Sequence, residues 1–249
     1  MSVLGGSFLG EVVAWFADPV NWQGPDGVIA RLREHLEITG LTVVIAAVIA
    51  LPVGLWLGHI GRGGALATGI SYIGRAAPTY AVLVLLAISP APFGNNQTST
   101  VTALVLFALS PILTNAYVGI RGVDPDAVDA ARGMGLSGWQ VLRRVELPLA
   151  APLVISGLRL ATTQVIATAT IAALVAGGGL GRIITAGFGR QDDVELFAGA
   201  VLVAVLALAA ELVLGWLQRS SARQARPDLS ATRRRKDAAD AAAEPLTVS

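Results

Sequence analysis

The side chains that could do chemistry in this 249-residue sequence are few and scattered. Its two histidines, His35 and His59, would be the ready proton shuttles or metal ligands, but they stand at opposite ends of one apolar run. Each is expected to be a satisfied surface or interfacial residue. There is no cysteine, so disulfides and thiolate metal sites are excluded. Arg75, Arg159 and Glu211 fall inside apolar runs, where an ionisable group marks a relay or a path unless it snorkels or pairs. All three lie within a few turns of a run's end, which favours snorkelling or pairing; Arg75 and Arg159 remain candidates to line a pathway. No nucleophile stands with a plausible base and no cluster of acids or histidines occurs, so no catalytic residue and no metal site is expected. The one lysine, Lys236, follows three arginines, and G-x-x-x-x-G-K-[ST] is absent, so the chain cannot itself use ATP. Gly177, Gly178, Gly179 and Gly181 form no phosphate cradle, because no strand precedes them. They are expected to break an apolar run into a flexible loop.

What remains is the polar stretch VDPDAVDAARGMGLSGWQVLRRVELPLAAP, Val123 to Pro152. Asp124 before Pro125 predicts a helix start, since an aspartate cap accepts backbone N–H bonds and proline suits the first helical position. That helix should run to about Arg132 and stop at Gly133 and Gly135. Ser137 with Gln140 has the spacing of a capping box and starts a second helix. Pro148 marks the start of the next apolar run. On the second helix Trp139, Leu142 and Val145 or Glu146 recur at i, i+3 and i+6, while Arg143 and Arg144 point elsewhere. Ala127, Ala130 and Ala131 are small enough for close backbone approach. Such a pair of short helices suits docking into a partner's groove. A plain interfacial loop covering the ends of neighbouring spans fits the same residues.

The elements that hold this stretch are membrane spans. A mean hydropathy of +0.65 and 14% charged residues lie far from the roughly 25% charge of an average soluble domain. Five apolar segments, at about 36–58, 66–89, 98–120, 149–176 and 196–217, approach or reach the roughly 20 residues needed to cross hydrocarbon. The loops between them alternate in charge. Arg62, the four arginines of 121–148 and the seven basic residues after Leu217 fall on one side, and Arg31, Arg33, Arg182 and Arg190 on the other. By the positive-inside rule the first side is the cytoplasm, which places the amino terminus outside and the carboxyl terminus inside. Pro52 and Pro78 should kink their spans. Gly54 and Gly58 have G-x-x-x-G spacing.

The expected architecture is an all-α membrane protein of about five transmembrane helices. Residues 1–35 form an extracytoplasmic or interfacial segment anchored by Trp15, Phe16 and Trp22. A short sixth span there is opposed by Asp18, Pro19 and Asn21. Residues 36–217 form the membrane domain. Residues 218–249 read as a disordered cytoplasmic tail whose basic cluster could touch anionic lipid.

Asp129-Ala130-Ala131, then three residues to Gly135, then nine to Val145-x-Leu147-Pro148, resembles the EAA-x3-G-x9-I-x-L-P signature of ATP-binding-cassette importer permeases. Asp129 stands for Glu and Val145 for Ile, which keeps charge and branching. The flanks SPILTNAYVGIRGVDPDAVDAARGMG and VELPLAAPLVISGLRLATTQVIATATIAALVAGGGLG are similar to the permeases of osmoprotectant importers. Permeases for methionine and other small solutes share the signature and the five-span plan. The resemblance covers about residues 36–217. It implies the type I importer fold and a role as a non-catalytic permease subunit in the cell membrane. It also implies that 121–148 holds coupling helices docking on an ATPase, with Asp129, Ala130, Ala131, Gly135, Ser137, Trp139, Leu142, Val145, Leu147 and Pro148 at the coupling point. The partners it implies are two cassette ATPase subunits, which bind ATP and Mg in place of this chain, a second permease, identical or paralogous, and an extracytoplasmic solute-binding protein. The solute expected is glycine betaine, choline, carnitine or proline. No nucleic-acid partner is expected. An ATPase-independent channel or secondary carrier is the rival class, together with a membrane scaffold that moves nothing.

Overall fold

The computed structural model of the chain describes residues 6–65, 69, 79–90, 96–175 and 177–225. Among the described residues the regular structure is helical throughout. Helix α1 (Gly6–Ala17) and a 3-10 turn (Pro19–Trp22) come first. Trp22 donates its indole N–H to Phe16 O at 2.8 Å, and Asn21 donates to Trp15 O at 2.9 Å, folding the aromatic cluster onto itself. Phe8 of α1 meets Phe197 edge to face at 5.5 Å between ring centroids.

Helix α2 (Val28–His59) begins well before the expected span and contains Pro52. Its 32 residues would reach about 48 Å at 1.5 Å each, against roughly 30 Å of hydrocarbon. The surplus lies at the amino-terminal end, where Arg33 pairs with Glu37 at 2.7 Å and Arg31 with Glu34 at 2.8 Å. Such i,i+4 and i,i+3 pairs support a helical turn in water. Helices α3 (Thr79–Ala87) and α4 (Asn96–Arg121) follow. Most of the second expected span, with Pro78 and Arg75, lies outside the described residues.

Helix α5 (Pro125–Gly133), the single-turn α6 (Gly138–Val141), a π-helical turn (Leu142–Glu146) and α7 (Leu147–Ala172) form the next unit. Pro148 follows the π turn at the second residue of α7, where its ring replaces a backbone N–H in an otherwise unbroken helical run from Gly138. Helix α8 (Gly181–Arg190) ends at Gln191, whose φ of 57° is left-handed, and α9 (Asp193–Ala225) starts at once. The Asp192 carboxylate accepts the N–H groups of Val194 and Glu195, both at 3.0 Å, and so caps α9. The region 177–195, expected to be a loop, therefore holds a helix of 10 residues, nearly three turns. Gly187 and Gly199 let α8 and α9 touch, since a Cβ at Gly187 would meet Leu196 N at 2.5 Å.

Among the described residues, four helical stretches are long and apolar enough to cross a membrane: Val28–His59, Gln97–Arg121, Gly138–Ala172 and Asp193–Ser220. Helix α4 is the centre, packed by α2, α3 and α7. Its seams are built from small residues: Ala46, Ala50, Ala108, Ala116 and Ala161 are fully buried. A Cβ at Gly54 would lie 2.8 Å from Leu113 O, and one at Gly157 would lie 2.7 Å from Asn115 Cβ. Close backbone approach of this kind holds helices together in lipid, where no hydrophobic drive separates helix from solvent. The outer face of α9 is the opposite case, with Val205, Leu208, Leu212, Val213 and Trp216 all exposed.

Candidate functional site

The insert between α4 and α7 is built by local signals. The Asp124 side chain accepts the Asp126 N–H at 3.0 Å and Pro125 opens α5. Helix α5 stops because Gly135 takes φ +84°, which lets Leu136 N–H turn back to Ala131 O at 3.2 Å. Ser137 then caps α6, with Gln140 Oε1 accepting the Ser137 N–H at 2.8 Å to complete the capping box.

These turns divide the residues singled out by the signature into two sets. Asp129, Ala130, Gly135, Ser137, Trp139 and Pro148 are exposed, Trp139 to 64% and the neighbouring Met134 to 75%. Asp129 pairs loosely with Arg132 at 3.8 Å across one turn. Ala131 and Leu142 are buried and Val145 and Leu147 half-buried; Leu142 packs with Ile120, Val123 and Ala150 on the body of the bundle. The insert thus has an anchored rear and an exposed front carrying large apolar side chains between charges. Beside it runs a groove of about 720 Å³ lined by Pro52, Val53, Trp56, Trp139, Leu142 and Arg143.

The i, i+3, i+6 spacing expected from Trp139 to Val145 or Glu146 does not hold as a single stripe. The π turn adds a residue to the helical repeat, so Leu142 and Glu146 face inward while Trp139 stays outside. Glu146, 4% exposed, receives a hydrogen bond from His59 Nδ1 at 2.6 Å. The sequence predicts a satisfied surface or interfacial His59 and names no partner for it. The available signal was an acid and a histidine at the ends of two different apolar runs.

His35 is not at a surface: it is fully buried. Its Nδ1 accepts the Leu180 N–H at 3.2 Å, which leaves Nε2 to donate to Ile166 O, also at 3.2 Å. That pattern defines a neutral ring with the proton on Nε2. Next to it the Glu34 carboxylate accepts the Gly179 N–H at 2.8 Å. A side chain at Gly178 would collide with that carboxylate, and Gly179 adopts φ +80°. The glycine run expected to be flexible is pinned to the start of α2 at both residues.

Arg159 of α7 reaches α9. Its Nε donates to Glu211 Oε1 at 2.8 Å and Nη1 to Gln218 Oε1 at 2.8 Å, with a further contact from Nη2 to Glu211. Arg75 lies outside the described residues.

Residues 50–226, most of the chain, match the family described as binding-protein-dependent transport system inner membrane component. The chain belongs to that family. Among curated relatives, this permease is 34% identical over 192 residues to the glycine betaine/carnitine/choline transport system permease protein OpuCB of Bacillus subtilis, covering 77% of this chain and 87% of the relative. It is 36% identical to the carnitine transport permease protein OpuCD of Listeria monocytogenes, covering 78% and 86%. It is 33% identical to the osmoprotectant import permease protein OsmY of Salmonella typhimurium, covering 75% and 79%. A solved inward-facing MetNI methionine ABC transporter has the same fold, with a TM-score of 0.68 at 22% identity over 78% of this chain and 95% of that one. The permease is therefore an inner membrane component of a binding-protein-dependent importer and a transport subunit, not a catalytic one.

Proposed function

We propose that this permease carries a compatible solute such as glycine betaine, choline, carnitine or proline into the cell, driven by ATP hydrolysed on separate subunits. The solute class rests on relatives whose names specify those osmoprotectants. The observation that carries the mechanism is the two-faced insert at 124–148, anchored by Leu142 and presenting Asp129, Ala130, Met134 and Trp139 outward.

In this reading, two cassette ATPase subunits hold ATP and Mg and receive the exposed front of the insert. Asp129, Ala130, Ala131, Gly135, Ser137, Trp139, Leu142, Val145, Leu147 and Pro148 form the coupling point. A second permease, a copy or a paralogue, closes the path, and an extracytoplasmic binding protein delivers solute to the side where Glu34 and Gly179 meet. The amino terminus lies outside and the carboxyl-terminal end of α9, which runs on to Ala225 past the expected tail boundary at 217, in the cytoplasm; the distribution of arginines under the positive-inside rule supports this reading. ATP binds one of the two arrangements of the assembly more tightly and so shifts its population; the insert conveys that shift to the spans. Arg159, held by Glu211, braces α7 against α9 beside this path.

Reconstitution in liposomes tests the proposal. Solute uptake should require the ATPase, ATP and the binding protein together, and the ATPase should stop co-purifying when Asp129 is changed to Lys. Uptake by the permease alone would refute ATP coupling. A thermal-shift screen of the binding protein against betaine, choline, carnitine, proline and methionine identifies the solute, and stabilisation by methionine alone would reassign the class.

A further inference from the structure

His59 is the last residue of α2, and Glu146 closes the π turn between α6 and α7. Their side chains are 11% and 5% exposed and meet at 2.6 Å. Nε2 of the same imidazole lies 3.4 Å from where a Cβ on Gly138 would sit, so the ring is wedged between the first residue of α6 and the end of the π turn. The ring of Trp56, one turn back on α2, stands 6.1 Å from it. Two features of this contact are unusual for a loop that merely covers a helix end. A carboxylate is buried where an apolar residue would be stable without a partner, and the helix is distorted to a π turn at that carboxylate.

Resting on the importer reading, we propose that His59 and Glu146 are a positioning pair that passes movement of the coupling insert into α2. Apolar contacts such as those of Leu142 allow sliding at little cost, whereas a short buried hydrogen bond is directional and either moves its partner or breaks. Displacement of α6 by a docked ATPase therefore acts on the end of α2 through His59, while α7 is moved directly through the continuous backbone. The pair gives the insert a hold on two spans instead of one. Neither residue touches the solute or the nucleotide.

The test uses the full-length permease in two settings. In nanodiscs without partners, hydrogen exchange at residues 55–60 and 142–147 is compared for wild type, His59→Ala, Glu146→Ala and the double variant. In proteoliposomes with the ATPase and binding protein, solute moved per ATP hydrolysed is measured for the same set and for His59→Gln, whose amide can donate to the same carboxylate. Each alanine variant is expected to speed exchange on both sides of the pair. Each should also lower the transport-to-hydrolysis ratio by roughly tenfold, within the usual range of coupling between sites. The double variant should lose no more than either single, and His59→Gln should recover much of the ratio with the ATPase still bound. An unchanged ratio in His59→Ala, losses that multiply in the double, or unchanged exchange at 55–60 in Glu146→Ala would each overturn the pair. Where an alanine variant does not fold, His59→Gln alone decides, because a ratio as low as that of a permease lacking the insert's contact contradicts the proposed hydrogen bond. If the wild type never binds an ATPase, the importer reading fails instead, and the exchange measurement still decides whether the two residues act together.

Discussion

Arg159 and Glu211 face each other across the interface of α7 and α9, the guanidinium Nε donating to the carboxylate at 2.8 Å with both side chains about one-third exposed. Both belong to apolar helices that cross the membrane, where each charge is tolerated because the other is present. Changing Glu211 to Ala leaves a cation without its counter-charge and should lower the melting temperature in detergent. The double variant with Arg159→Ala should melt closer to wild type than Glu211→Ala does, because it removes the stranded charge as well. Melting of the four proteins by intrinsic fluorescence completes that cycle.

Gly135 should be sensitive for its backbone and not for its space. A Cβ there meets nothing within 4 Å, yet φ is +84°. Gly135→Ala is expected to cost about 1–2 kcal/mol, the usual penalty of the left-handed region for a residue with a Cβ. Gly135→Asn should cost less, since asparagine visits that region more readily. Uptake and ATPase co-purification should rank the three proteins Gly, Asn, Ala.

Two glycines of α2 should behave oppositely. Gly54 lies against α4, where a Cβ would come within 2.8 Å of Leu113 O, whereas a Cβ on Gly40 would meet nothing within 4 Å. Gly54→Val is expected to destabilise by roughly 1–3 kcal/mol through overpacking. Gly40→Ala should be neutral or slightly stabilising, because alanine is the better helix former. Thermal melting in detergent separates them.

His35→Ala should be the most damaging single change where the start of α2 meets the glycine loop. It leaves the buried Leu180 N–H without its acceptor, an orphan worth about 1–3 kcal/mol, while the Ile166 carbonyl loses the ring but keeps its bond within α7. His35→Gln, which offers one donor and one acceptor, should retain part of the loss. Accelerated hydrogen exchange at residues 179–181 reads out release of the glycine loop.

The parts of the fold that the sequence made legible are those encoded locally. Asp124 with Pro125, Gly135 with its positive φ, and Ser137 with Gln140 each act within four residues, so their spacing alone announces the turns. The long apolar runs announce the spans in the same way. Features that depend on a distant partner were not legible. Helix α8 reads as a loop because GRIITAGFGR opens on a glycine and has two more, Gly187 and Gly189, among its last four residues; it is helical here because Gly187 and Gly199 let it lie on α9. The charged first turns of α2 resemble a loop until Arg31 and Glu34 are seen to pair along a helix. The π turn is not written in any one residue between Leu142 and Glu146. It emerges where Leu142 must face the bundle and Glu146 must face His59, two demands that a regular repeat does not meet together.

The bonds of His35 join residues 131 and 145 positions apart along the chain. At translation speeds of about 5–20 residues per second, the ring waits roughly 7–30 s between its own synthesis and that of Ile166 and Leu180. During that interval the first span sits in the bilayer with an imidazole that has neither of its final partners. Closure of this end of the bundle must then wait for synthesis of the glycine-rich turn before α8, and a nascent chain arrested before Leu180 lacks the partner that the His35 Nδ1 accepts from.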